Sequence, residues 1–150
     1  MEPKPQVYFK VIDLYSQEYV EALVLRDLVL RKPLRMSIYN DNLEKDKTDT
    51  HIGAFIESDL LGTLILSGLS NEEVKMRQVA VHNSQQGKGI GSGMVLFSED
   101  VAKQMGFVQM VLNARKTAVH FYENLNYIKE GEEFMEVGIP HYKMRKVLTH

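Results

Sequence analysis

Residues 74–94 read VKMRQVAVHNSQQGKGIGSGM, and this stretch decides the fold. Its first nine residues (VKMRQVAVH) are rich in β-formers and read as a strand. Its second half holds four of the chain's ten glycines within seven positions: Gly87, Gly89, Gly91 and Gly93. Glycine at the start of a helix costs about 1 kcal/mol per residue, so such a cluster needs a reason. A strand, a tight glycine turn and a helix N-terminus bring several backbone N–H groups onto one anion, and the missing side chains let phosphate oxygens approach. Lys88 adds a positive charge beside them. A Walker loop would need glycine at His82 and a hydroxyl residue at Gly89. A dinucleotide fingerprint fails at Ser92 or at Met94, depending on where it starts. A hydrolase nucleophile elbow lacks the flanking glycine spacing around Ser92. The plainer alternative is that the glycines only permit close packing of helix on sheet.

Outward from this unit, the chain alternates short β-runs with helical periodicity. Residues 6–14 (QVYFKVIDL) alternate around Val7, Phe9 and Val11 and predict a strand. Ser16 then caps a predicted helix whose apolar positions are Tyr19, Val20, Leu23, Val24 and Leu28, with Pro33 ending or redirecting it. The polar run 40–49 (NDNLEKDKTD) reads as an exposed loop. THIGAFIE and LLGTLILSGL flank Ser58-Asp59 as a hairpin, and with 74–82 they predict a three-stranded antiparallel meander. Residues 88–105 are helical, and Gly106 is placed to end the helix. Residues 108–112 (VQMVL) form a buried strand. Residues 117–125 form a second helix, with Asn126 in the left-handed position. Runs at 127–134 and 141–148 close the chain. The expectation is one domain over residues 1–150, of α/β (α+β) class, with a mixed, mostly antiparallel sheet of about six to seven strands and about four helices.

Composition narrows the chemistry. The chain has 150 residues, eighteen Lys+Arg against twenty Asp+Glu, and no cysteine. At this length, roughly 68–70% of the unfolded chain's surface can be buried. A formal charge of −2 offers no broad field for polyphosphate, which argues against nucleic acid as a partner. Without cysteine there are no disulfides, thiolate-bound zinc, iron–sulfur clusters or cysteine-linked intermediates. The five histidines lack a paired metal spacing, so no metal site is expected. No run of about 18 apolar residues exists, so no membrane span is expected, and the mixed first twenty residues do not read as a secretory signal. A cytoplasmic protein is the expectation.

Gln86-Gly87-Lys88-Gly89-Ile90-Gly91, directly after a strand, matches the pattern Gln/Arg-x-x-Gly-x-Gly/Ala. Here the chain resembles the GNAT superfamily of acyl-CoA-dependent N-acyltransferases, and the element order extends the resemblance over nearly the whole chain. The resemblance implies that Gln86, Gly87, Lys88, Gly89, Ile90, Gly91 and Ser92 cradle the pyrophosphate of coenzyme A. It also implies that the preceding strand splays from its neighbour at a bulge, so that Val79, Ala80 and Val81 pair with the pantetheine arm through their backbone. A second segment, LNARKTAVHFYENLNY over residues 112–127, resembles the family's Ala-x-x-Phe-Tyr-x-x-x-Gly-Phe motif through Ala118, Phe121, Tyr122 and Tyr127. Thr117 replaces a common cofactor-contacting Asn, with Asn113 as the substitute. Asn126 replaces the usual Gly, a mild change because Asn tolerates the left-handed conformation.

Tyr122 is the expected acid at the leaving thiol, protonated at neutral pH because an ordinary phenol titrates near 10. Its other reading is an amphipathic core tyrosine. On the amine side, the strand before the glycine turn carries Lys75 and Arg77 where many family members carry a carboxylate. The remaining base candidates are His82, Glu136 and His141, with His141 assigned a catalytic role. The run Glu44 to His51 could attract a cationic amine or be a solvated loop. The implied activity is acetyl-CoA-dependent transfer to a primary amine of a small molecule or peptide, in a ternary complex. The competing reading is a non-catalytic CoA-binding sensor or scaffold. Exposed strand edges allow a homodimer.

Overall fold

Alternating apolar residues that need a covered face, and a helix stripe that needs a sheet, produce one seven-stranded sheet with helices on both sides. The computed structural model describes residues 5–149. In chain order the elements are β1 (Val7–Ile12), α1 (Gln17–Arg26), β2 (Thr50–Ile56), β3 (Asp59–Gly68), β4 (Glu73–Val81), α2 (Ile90–Gln104), β5 (Gln109–Arg115), α3 (Val119–Glu123), β6 (Ile128–Glu136) and β7 (Ile139–Val147). The strand order is β1-β2-β3-β4-β5-β7-β6. Only β4 and β5 run parallel, joined through α2 as a crossover must be. The predicted meander β2-β3-β4 and the closing β6–β7 hairpin are both present. The class is therefore the expected mixed, mostly antiparallel α/β fold.

One face of the sheet buries Ile52, Leu64, Val74, Met76, Met110, Leu112 and Met144 against Ile90, Met94, Val95 and Ala102 of α2. α2 sits close because Gly93 has no side chain: a Cβ there would stand 2.7 Å from the Phe9 ring. The other face is covered by α1, chiefly over β3 and β4, where Tyr19, Ala22 and Leu23 join Ile12 and Phe55. Ser16 caps α1 as expected, accepting from the Tyr19 N–H at 3.2 Å. The helix is rotated from the expected stripe, however. Val20, Val24 and Leu28 are exposed, and the inward positions are Tyr19, Ala22, Leu23 and Arg26. Beyond Arg26 a π turn (Asp27–Arg31) and the 3-10 turns Lys32–Leu34, Ile38–Asn40 and Leu43–Thr48 occupy the second helical position before β2.

The run 40–49 is mostly exposed, as its polarity predicted, but it folds largely as a 3-10 turn and buries one residue, Asp46. Asp46 is 1% exposed and lies against Arg26, also 1% exposed, at 2.8 Å. Tyr19 Oη donates to Asp46 Oδ2 at 2.6 Å, and Arg77 Nη2 reaches Asp46 Oδ1 at 3.2 Å and Asp49 Oδ2 at 2.6 Å. Asp46 and Asp49 are consumed by internal cations and Glu44 pairs with Lys47 at 2.8 Å, so no carboxylate of the run Glu44 to His51 is left over to attract an amine. Burial pushes Asp46 up, but the Arg26 and Tyr19 hydrogen bonds more than offset it and hold the carboxyl below its ordinary range.

His51 belongs to the same buried group and does not approach the cleft. It is 2% exposed, and its Nε2 donates to the Asp46 carbonyl at 2.9 Å. Its ring stands edge-on to Tyr19, and Nδ1 is enclosed without a partner. Burial pushes His51 below its ordinary value near 6.5, with the Arg26 charge acting in the same direction and Asp46 and Asp49 opposing it. The unfolded chain therefore takes up a proton below about pH 6.5 that the folded chain refuses, and stability declines as pH falls through that range. Thermal midpoints compared at pH 7.5 and 5.5 should show this decline. His51→Gln should flatten it, and an unchanged slope in that variant would assign the effect elsewhere.

Candidate active site

The site begins with a break in the sheet. β4 and β5 pair from Glu73↔Gln109 only as far as Met76↔Leu112, after which β5 continues against β7 alone. On its other side, β4 pairs Arg77 with Ile65 and Ala80 with Thr63. Gln78 and Val79 thus oppose the single residue Leu64, which is a β-bulge. Gln78 has φ +52°, a conformation that non-glycine residues rarely adopt. Its side chain accepts from Arg26 Nε at 2.6 Å and donates to Asp41 at 3.4 Å. Asp41 in turn takes Arg31 in a two-point contact of 2.8 and 3.1 Å. The bulge is held from α1 and the turns after it, and β4 leaves β5 immediately beyond.

Two cavities open along this split. The first, about 510 Å3, is bordered by the glycine turn from Gln85 to Ser92 without Lys88, together with Val79, Val81 and Phe121. Gly87 and Gly89 have φ +79° and +83°, and nothing lies within 4 Å of where a Cβ would project from either. The first intrahelical bond at the start of α2 runs from the Gly93 N–H to the Gly89 carbonyl at 3.1 Å. The N–H groups of Ile90, Gly91 and Ser92 consequently have no helical partner and give the turn its positive end. At Gly87 and Gly89 the turn is open and presents bare backbone, which suits a pyrophosphate. Lys88 is exposed and does not border the cavity. The glycines divide by role: Gly87 and Gly89 form the turn, whereas Gly91 and Gly93 admit Phe121 and Phe9 at close range.

Of the three β4 residues expected beside it, Val79 and Val81 border the cavity, while the Ala80 side chain is buried in the core on the opposite face. The His82 N–H donates to the Leu61 carbonyl at 2.8 Å. By strand alternation, the Val81 N–H is turned away from β3, toward the open side. His82 itself is engaged with Ser84 Oγ at 2.8 Å and borders neither cavity.

The second cavity, about 390 Å3, is bordered by β4, β5, the segment after α1 and the β6–β7 turn. Leu30, Val79, Arg115, Ala118 and Tyr122 border both cavities, so the two meet there. Tyr122 is 7% exposed and packs edge-on to Phe121 and Tyr127. Its hydroxyl has no hydrogen-bond partner, yet the only enclosed, unpartnered polar atom among the described residues is His51 Nδ1, so the Tyr122 oxygen reaches open space. Burial pushes its phenol up to about 12.

Asn113, expected near the cofactor, borders this second cavity and not the glycine cradle. Its Nδ2 donates to Glu136 Oε1 at 3.3 Å, and Glu136 Oε2 lies 3.4 Å from His141 Nε2. His141 is 4% exposed, stacked on Phe134, with Nδ1 2.7 Å from the Ile139 carbonyl. A carbonyl only accepts, so Nδ1 carries a proton, and Nε2 is the nitrogen that faces Glu136, where a proton taken up by the ring is held between Nε2 and the carboxylate. His141 is thus neither a surface nor an isolated histidine. Val137, at φ +45°, forms the tip of the hairpin that overhangs this dyad.

No described group of His, Cys, Asp or Glu residues could hold a metal ion, and no described helix is long and apolar enough to cross a membrane. The model of the acetyltransferase (GNAT) domain matches residues 13–148. A protein of Bacillus subtilis (strain 168) that carries an acetyltransferase name is 31% identical over 109 residues, covering 69% of this chain and 74% of its own length. An acyl-CoA N-acyltransferase from Pseudomonas aeruginosa superposes with a TM-score of 0.81 at 21% identity, over 94% of this chain and 99% of that one. A GNAT family acetyltransferase from Elizabethkingia anophelis with acetyl-CoA bound gives 0.72 at 14% identity, over 95% and 98%.

Proposed function

The chain belongs to the GNAT acetyltransferase family, and on that premise we propose that residues 1–150 act as one acetyltransferase domain that moves an acetyl group from acetyl-CoA directly to a primary amine. What supports the reading is the meeting of two cavities at Tyr122, one ending in the anion-suited glycine turn and the other in a carboxylate–histidine pair. Acetyl-CoA supplies the activated acyl group and a thiol leaving group. The N–H groups of Ile90, Gly91 and Ser92 hold its pyrophosphate at the positive end of α2. The open edge of β4 at Val79 and Val81 offers backbone partners to the two amides of pantetheine. The Val81 N–H polarises the thioester carbonyl.

His141 Nε2, backed by Glu136, takes a proton from the acceptor ammonium so that a neutral amine attacks. Tyr122 Oη, protonated well above neutral pH, gives the departing sulfur its proton and regains one from the amine nitrogen, which loses its second proton as the amide forms. No cysteine is available to carry the acetyl group between substrates, which leaves direct transfer as the route. Release of thiol from acetyl-CoA in the presence of an amine tests this reading. Coenzyme A binding with no thiol release from any amine would favour the sensor instead. Tyr122→Phe removes only the hydroxyl and keeps the ring contacts. It should lower kcat by about tenfold to a hundredfold while leaving coenzyme A affinity within about twofold. Equal rates in variant and wild type would remove Tyr122 from the chemistry.

A further inference from the structure

Resting on the acetyl-transfer reading above, we infer that the acceptor carries an oxyanion, carboxylate or phosphate, in addition to its amine, and that Lys75 receives it. The walls of the acceptor-side cavity carry four cations, Arg31, Lys75, Arg77 and Arg115, against one carboxylate, Glu136. Two of those cations are already neutralised: Arg31 by Asp41, and Arg77 by Asp49 and Asp46. Lys75 and Arg115 have no carboxylate partner among the described residues. Lys75 lies level with Val111 of β5 and borders the cavity. Arg115 stands four residues further along β5, opposite His141 and at the junction of the two cavities. The cavity therefore presents an uncompensated cation at its β4 wall and a second one beside the proton-accepting pair.

That distribution discriminates among amines. A polyamine would bring further positive charge against Lys75 and Arg115 and meet repulsion. An amine with an oxyanion pairs the oxyanion with Lys75 while its amine turns toward Glu136 and His141. The nearby cations also favour loss of the amine's proton, which attack requires. The lysine ammonium is a point charge without a fixed fork, so it accepts either a carboxylate or a phosphate.

The experiment compares three arms at saturating acetyl-CoA, read by thiol release: amino acids with α- or ω-amino groups, aminoalkyl phosphates, and the matched neutral amides and alkanolamines with polyamines alongside. The expected result is a kcat/KM at least about tenfold higher for one of the oxyanion arms than for its neutral counterpart, and the preferred arm identifies the oxyanion. Neutral amines or polyamines turned over equally well or better would overturn the substrate class while acetyl transfer stands. Thiol release from no amine at all would overturn both. Lys75→Glu should lower kcat/KM for the oxyanion amine by about tenfold or more, chiefly through KM, with Lys75→Arg restoring it. An unchanged ratio between oxyanion and neutral amines in Lys75→Glu would overturn the assignment of Lys75.

Discussion

Gly89→Glu is expected to lower coenzyme A affinity by about a hundredfold or more while the chain still folds. Gly89 stands at φ +83° with nothing within 4 Å of a would-be Cβ, so a side chain there meets backbone strain but no collision. The left-handed conformation costs a non-glycine residue about 1–2 kcal/mol, a few degrees in thermal midpoint for a chain of this size. The larger effect is electrostatic. The new carboxylate sits at the positive end of α2, occupies the unpartnered N–H groups of Ile90, Gly91 and Ser92, and repels the pyrophosphate they would bind. Gly89→Ala carries the same strain without the charge, so titration of both variants with coenzyme A separates the two causes. Affinity unchanged in Gly89→Glu would remove the glycine turn from the cofactor site.

Asp46→Ala is expected to destabilise the fold by about 3–5 kcal/mol, read from urea unfolding midpoints. The substitution strands Arg26, 1% exposed, without its counter-charge, and takes a partner from Tyr19 and Arg77 at once. Native stability is typically only about 5–15 kcal/mol, so this is a large share of it. Arg26→Met combined with Asp46→Leu should recover most of the loss, because the cost lies in an unpaired buried charge more than in the missing pair. A loss below about 1 kcal/mol in Asp46→Ala would mean that water reaches Arg26. Acid has a related effect. Asp46 is held below its ordinary value, so its contribution is present above about pH 4 and is lost as pH falls through the lowered folded value. Because Arg26 Nε also holds the Gln78 side chain, the same substitution loosens the bulge at which β4 leaves β5.

Several features were legible before any coordinates because they depend on local chemistry. Ser16 caps α1, Asn126 adopts φ +73°, and Gly106 ends the helix before β5, each as its residue type requires. The glycine turn was legible because positive φ at Gly87 and Gly89 needs no tertiary partner. Arg26 was missed although a signal existed: it lies seven residues after Tyr19 and three after Leu23, on the inward stripe of α1. Asp46 gave no such signal, since one aspartate in a run of polar residues looks like any other until a buried arginine meets it. His141 was legible as a titratable residue near the last strand. Its pairing with Glu136 and Asn113 depends on strand register, which sequence periodicity alone does not set.

By itself, the sequence determined the order of strands and helices, the family, the anion-suited glycine turn and the exclusion of cysteine and thiol chemistry from the protein's own side chains. These follow from turn residues, caps, periodicity and composition, all of which act over a few neighbouring positions. Only the tertiary structure decided where β4 parts from β5, that Gln78 is held open from α1, that Tyr122 joins two cavities, and which cations of the acceptor wall are already neutralised. The reason is that register, burial and ion pairing bring together residues far apart in the chain, 52 positions in the case of Arg26 and Gln78 and 72 in that of Glu73 and Arg145. No local pattern encodes which distant charge will meet which. The strand–turn–helix stretch 74–94 was therefore readable as an anion cradle from its own residues, while its place at the mouth of a split sheet was set by Arg26, Asp41 and Asp46 far outside it.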